Sequence, residues 1–153
     1  MKITDSKYLP ARGKPPLALD RAWGEQSLSD AEFVARFENR QLDAFTHVDH
    51  VRMAYAYATR GGLEAAISGA MKIRALAEAA GAPDKFHTTI TVAWARVIAH
   101  LVERSMPADF SSFLATHPQL LDRRLLSAHY SDELLFSARA KSEFVAPDLL
   151  ALP

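Results

Sequence analysis

The sequence predicts an all-α fold: a single domain of about six helices, bundle-like or orthogonal, with an extended N-terminal arm. Two observations carry that expectation. Apolar residues recur at helical spacing along most of the chain, and no segment alternates apolar and polar residues with the period of a strand. The chain is also long enough, at 153 residues, and apolar enough, at 49% hydrophobic content, to bury a core of its own.

Residues 1–28 make up the arm, in which Pro10, Gly13, Pro15, Pro16 and Gly24 interrupt any helical period. Leu17, Leu19 and Trp23 are the residues expected to pin it to the helical domain, 29–153. Ser29-Asp30-Ala31-Glu32 is a capping-box pattern, and Phe33, Val34 and Phe37 give the helix after it an apolar stripe. Thr46-His47-Val48-Asp49 repeats the pattern with Asp in the place of Glu. This second helix runs to about Arg60 and ends at Gly61-Gly62.

A third helix spans Leu63 to Ala80, with Leu63, Ile67, Ala70, Ile73 and Ala77 in register and Gly81 after its end. Thr88 or Thr89 is placed to cap a fourth, in which Ile90, Trp94, Val97 and Leu101 follow the 3.6-residue period. Met106-Pro107-Ala108-Asp109 opens a shorter helix containing Phe110, Phe113 and Leu114. Leu120, Leu121, Leu125 and Leu126 fall in a further short one, and Ser131-Asp132-Glu133 caps the last. The apolar, proline-bounded tail 145–153 is expected to pack on the body.

Eighteen basic residues balance eighteen acidic ones. This disfavours nucleic acid as a partner, because phosphate recognition needs a clustered basic surface. A neutral surface also admits a homodimer. There are no cysteines, so thiolate metal sites, disulfides and cysteine nucleophiles are excluded. The N-terminus lacks the apolar core of a secretory signal, and no apolar run approaches the roughly 20 residues that span a bilayer. A cytoplasmic protein without membrane partners is the expectation. Glycine-rich nucleotide cradles, GxSxG, HExxH and paired ExxH motifs are all absent.

Three of the six histidines stand out. His47 and His50 lie one turn apart, and Val51, Ala54 and Ala58 continue their side of the helix, so the pair belongs to an inward face. His87 directly precedes the fourth helix. If the second, third and fourth helices are consecutive antiparallel neighbours, the second and fourth run parallel and their starts share one end of the domain. His47, His50 and His87 would then meet.

Two chemistries suit such a set. Three imidazoles with one open position suit a divalent ion such as zinc, iron or copper. Alternatively, imidazoles kept neutral act as acid–base groups or hydrogen-bond donors to a small substrate. Asp49 and Asp84 are the candidates to orient the rings. Arg52, further around its helix, and Tyr130 are candidates for substrate binding. The structural alternative is that each ring merely bonds a carbonyl near a helix start. His100, His117 and His129 fit that alternative better, and Arg123-Arg124 is most simply a solvated patch.

Phe45-Thr46-His47-Val48-Asp49-His50-Val51-Arg52, Phe86-His87-Thr88-Thr89-Ile90-Thr91, and the later Tyr130-Ser131 and Pro147-Asp148 segments resemble a family of small bacterial proteins with no assigned activity. That family carries an F-x-H-x-x-H-[VL]-R segment and a later aromatic-His-x-T segment. The resemblance runs from about residue 30 over most of the chain. It implies that His47, His50, Arg52 and His87 form one unit. Thr88 stands where the pattern often has an acidic residue, a departure that weakens a metal or acid–base implication. The functional expectation is therefore a His47/His50/His87 site in a small enzyme, metal-assisted or using histidine as acid and base. The alternative is a non-catalytic module binding a metal, haem or metabolite.

Overall fold

The computed structural model describes residues 2–3 and 28–153. The contacts expected of Leu17, Leu19 and Trp23 lie outside these residues. Helix α1 (Asp30–Glu38) begins at the first capping box: Ser29 Oγ accepts from the Glu32 amide at 3.2 Å, and the Glu32 carboxylate accepts from the Ser29 amide at 2.8 Å. Phe33, Val34 and Phe37 are buried, as their stripe requires. Strands β1 (Lys2–Ile3) and β2 (Ala44–Phe45) pair in parallel, Lys2 beside Ala44 and Ile3 beside Phe45. Two residues are too few to display a strand period, so the sequence pattern does not register them.

Helix α2 (His47–Met71) consists of two rods meeting at a kink, with Gly61 at φ −150°, ψ 20° and Gly62 at φ 67°, ψ −151°. Gly62 occupies a region that side chains strongly disfavour. The glycine pair thus marks the end of the first rod where the sequence places it, and the second rod starts without a loop. That second rod stops at Lys72 and resumes as α3 (Ile73–Ala79), so the third helix expected from Leu63 to Ala80 is divided. Gly69 lies against the Tyr57 ring: a Cβ there would stand 2.3 Å from Tyr57 Cδ2. Across the kink, Tyr57 donates to the Glu38 carboxylate, which also pairs with Lys72 Nζ at 2.5 Å.

Helix α4 (Thr88–Ser105) packs along α2 more extensively than any other pair of elements. Its cap is neither Thr88 nor Thr89 but His87, whose Nδ1 accepts the Ile90 amide at 3.2 Å. Both threonines are buried and bond the C-terminal segment instead. Thr88 donates to the Ser142 carbonyl and Thr89 to that of Glu143.

Asp109 caps α5 (Phe110–Thr116) through the Ser112 amide. The leucine-rich stretch after it forms two 3₁₀ turns, Pro118–Leu121 and Leu125–Ala128, separated by an extended Asp122, in place of the expected helix. The last helix is likewise divided, into α6 (Asp132–Leu135) and α7 (Ala138–Ser142), because Ser137 caps afresh. The tail packs on the body: buried Tyr130 donates to the Val145 carbonyl at 2.9 Å, and the His129 carbonyl accepts the Leu149 amide at 3.0 Å. Among the described residues, no helix is long and apolar enough to cross a membrane.

Candidate functional site

The first two turns of α2 and α4 line one cavity of about 90 Å³. His47, His50, Met53 and Ala54 come from α2, and His87, Ile90, Thr91 and Trp94 from the start of α4. Ala70, Ile73 and Ala77 close it from the second rod of α2 and from α3. The shared end follows from the extensive α2–α4 packing, because both helices turn their beginnings to the same space. The three histidines therefore do border one cavity, although their ring nitrogens are not equivalent.

A carbonyl oxygen only accepts, so each imidazole nitrogen bonded to one carries a proton. His47 Nε2 donates to the Leu120 carbonyl at 2.7 Å, which leaves Nδ1 with the lone pair. His50 Nδ1 donates to the Thr46 carbonyl at 2.7 Å, which leaves Nε2. His87 is used up at both positions: Nε2 donates to the Leu135 carbonyl at 2.8 Å while Nδ1 caps α4. Its role is to tie the start of α4 to α6. Among the described residues, the buried side-chain nitrogens lacking any partner are Arg96 Nε and His117 Nε2. His50 Nε2 is therefore neither bonded nor sealed in, and borders space that water or a ligand can enter.

Both pocket imidazoles are held neutral. Burial pushes His50 down to about 4, against the opposing effect of the Thr46 hydrogen bond, and the nearby His47 and Arg123 push the same way. Burial is also the main cause that lowers His47; the Leu120 bond opposes it and Arg123 adds to it. Ring packing fixes the pair. Phe45 lies 4.2 Å from the His50 ring, and Trp94 meets His47 edge-on at 4.9 Å.

The remaining residues singled out by sequence lie elsewhere. Arg52 is buried on another side of α2, where Nε pairs with Asp30 at 3.1 Å, Nη2 donates to the Leu28 carbonyl at 2.6 Å, and the guanidinium covers Phe33 at 4.8 Å. It fastens α1 to α2 and does not line the cavity. Tyr130 holds the tail. Asp49 spends its carboxylate on the Thr46 cap, with Oδ2 accepting from the amide at 2.6 Å and the hydroxyl at 2.7 Å. It therefore touches neither ring, but it braces the residue whose carbonyl anchors His50. Asp84 is exposed on the 3₁₀ turn Pro83–Lys85 and borders no part of the cavity.

Arg123 and Lys85 are the residues that sequence reasoning missed; both line the cavity. Arg123 sits between two 3₁₀ turns, so no helical face announces its direction. Its only sequence signal is a cation within a leucine-rich stretch, which reads equally well as solvated surface.

A three-histidine metal centre does not fit this arrangement. Among the described residues, His87 offers no lone pair, no Asp or Glu lines the cavity, and no group of three or more His, Cys, Asp or Glu is arranged to hold an ion. Fold and site together define an all-α domain with a small, imidazole-lined pocket. The chain matches no protein-family model, no curated protein and no solved structure.

Proposed function

We propose that the protein is a small-molecule binding module whose pocket is the cavity at the start of α2 and α4. The observation that carries this reading is the pair of neutral imidazoles, each locked by one carbonyl, beside an otherwise largely apolar cavity. Apolar walls with a few fixed polar groups are the usual build of a ligand site. His50 Nε2 and His47 Nδ1 serve as fixed acceptors for a ligand O–H or N–H.

Binding is favoured over acid–base catalysis by one further observation. An effective general base titrates near the working pH, whereas burial puts His50 near 4. Catalysis remains the second reading, because two lone-pair imidazoles border one space.

Screening a fragment set spanning neutral, anionic and cationic compounds, with imidazole NMR as the readout, tests the proposal. Binders should shift the His47 and His50 ring signals, and Ala77→Leu, which fills the cavity from α3, should abolish the shifts while leaving helicity intact. Hits that perturb only other residues, or that bind Ala77→Leu equally well, overturn it. Conversion of a bound fragment would move the assignment to the catalytic reading.

A further inference from the structure

We propose that residues 63–80, the second rod of α2 together with α3, form a flap over the cavity, hinged at Gly62 and Gly81 and latched by Glu38, Tyr57 and Lys72. Its opening admits a molecule to His47 and His50. As a gate for a ligand the flap rests on the cavity being a ligand site; as a motion it does not.

Backbone geometry sets the two ends. Among the described residues, the glycines with positive φ are Gly62, at 67°, and Gly81, at 69°, and they bracket the segment. A Cβ at either position would meet nothing within 4 Å, so glycine is needed there for its backbone and not for space. Element ends of this kind are where hinges absorb a change in φ and ψ.

Between the hinges, the segment supplies one wall of the cavity through Ala70, Ile73 and Ala77, whereas His47, His50, Met53 and Ala54 come from the first rod. The buried face of the segment is mostly small: Ala66, Gly69, Ala70 and Ala77, with Ile73 and Leu76 the larger residues. Burial energy scales with apolar area, so this face holds the body less firmly than does the Phe33, Val34 and Phe37 face of α1. Segments with little buried apolar surface open first.

A polar cluster joins the flap to the body. Lys72 Nζ pairs with the Glu38 carboxylate of α1 at 2.5 Å and donates to Tyr57 Oη of the first rod at 3.3 Å, while Tyr57 donates to Glu38. Both partners of the ion pair are half exposed, at 49% and 41%, so the latch is weak enough to break and re-form. A second contact, the Arg74 guanidinium 5.0 Å from the Phe86 ring, ties the flap to the segment that leads into α4.

A reversible disulfide tests the flap, because the chain has no cysteine of its own. A Cβ at Gly69 would stand 2.4 Å from Tyr57 Cγ, which puts the two Cβ atoms within about 4 Å, the separation a disulfide spans. The full chain carrying Tyr57→Cys and Gly69→Cys is compared oxidised and reduced by two readouts. One is amide hydrogen exchange. The other is carbethoxylation of the neutral His50 imidazole by diethyl pyrocarbonate, mapped by mass spectrometry with His129, outside the cavity, as reference.

In the native chain and the reduced variant, amides of 63–80 should exchange at least roughly tenfold faster than those of α4. Oxidation should remove that difference and slow the His50 reaction by a similar factor. Lys72→Met alone should speed the His50 reaction by up to about fivefold, the range of an exposed ion pair. Exchange in native 63–80 as slow as in α4 overturns the inference, whether or not the cysteine variant folds. So does a His50 rate that neither the disulfide nor Lys72→Met changes. The flap is judged without any ligand, so it can fall while the pocket assignment stands on fragment shifts at His47 and His50. A flap that opens while no fragment shifts those signals removes the pocket assignment instead.

Discussion

His50 makes the fold of this protein acid-sensitive in a way that one substitution should remove. In the folded chain its imidazole is depressed to about 4, from an ordinary 6.5, chiefly by burial, with His47 and Arg123 the charged or titratable neighbours acting on it in the same direction. A depressed histidine stays neutral in the native state but takes up a proton in the unfolded one. As pH falls below the unfolded value, the unfolded state is stabilised and the native state is not. Each unit is worth about 1.4 kcal/mol, so this group alone should remove about 2 kcal/mol of stability between about pH 7 and pH 5, and about 3 kcal/mol by pH 4.

His50→Gln deletes the titration while keeping a side chain able to donate to the Thr46 carbonyl. Urea unfolding of both proteins, followed by helical circular dichroism across this pH range, isolates the effect, because groups common to both cancel. Wild type should lead at neutral pH, and its lead should shrink by about 3 kcal/mol on reaching about pH 4. A difference that stays constant within roughly 0.5 kcal/mol, comparable to ordinary non-additivity between sites, would refute the reasoning. So would a His50 ring signal titrating near 6.5.

Three further outcomes are expected. Gly62→Ala should lower stability by about 1–3 kcal/mol, since alanine must adopt φ 67°, ψ −151° at the kink; a melting temperature equal to wild type would mean that the two rods need no such backbone. Gly69→Ala should cost a similar amount, about 1–3 kcal/mol of overpacking against the Tyr57 ring, and the additional change Tyr57→Ala should recover part of the loss measured by thermal melting. Tyr130→Phe should cost about 1 kcal/mol by leaving the Val145 carbonyl without its hydroxyl partner. Amide exchange should then quicken at the tail residues 145–150, whereas uniform exchange would place the anchor elsewhere.

What the sequence reveals follows from the range of the forces involved. Capping boxes are local: Ser29 with Glu32 and Thr46 with Asp49 each close within one turn, and both were legible. The glycine pair at 61–62 was legible for the same reason. The leucines at 120–126 were not, because Pro118 and an extended Asp122 override a helical pattern that spacing alone supports.

The site divides along the same line. That His47, His50 and His87 would border one space follows from helix order and short connections, a coarse topological argument that tolerates error. The ring nitrogens depend on carbonyls at Leu120 and Leu135, 73 and 48 residues away, and no local pattern encodes those partners. Arg52 shows the opposite failure. Its place in the histidine segment made it look like part of the site, yet a helix turns neighbours in sequence to different sides, and this one faces Asp30 and Phe33.

Arg123 shares no element with any histidine and reaches the cavity only because the 3₁₀ turns deliver it there. Proximity in sequence and shared chemistry therefore point to different residues, and the cavity decides between them. Its charge comes from the loops and its lone pairs from the helices, so a test that removes Arg123 without disturbing His50 separates the two contributions.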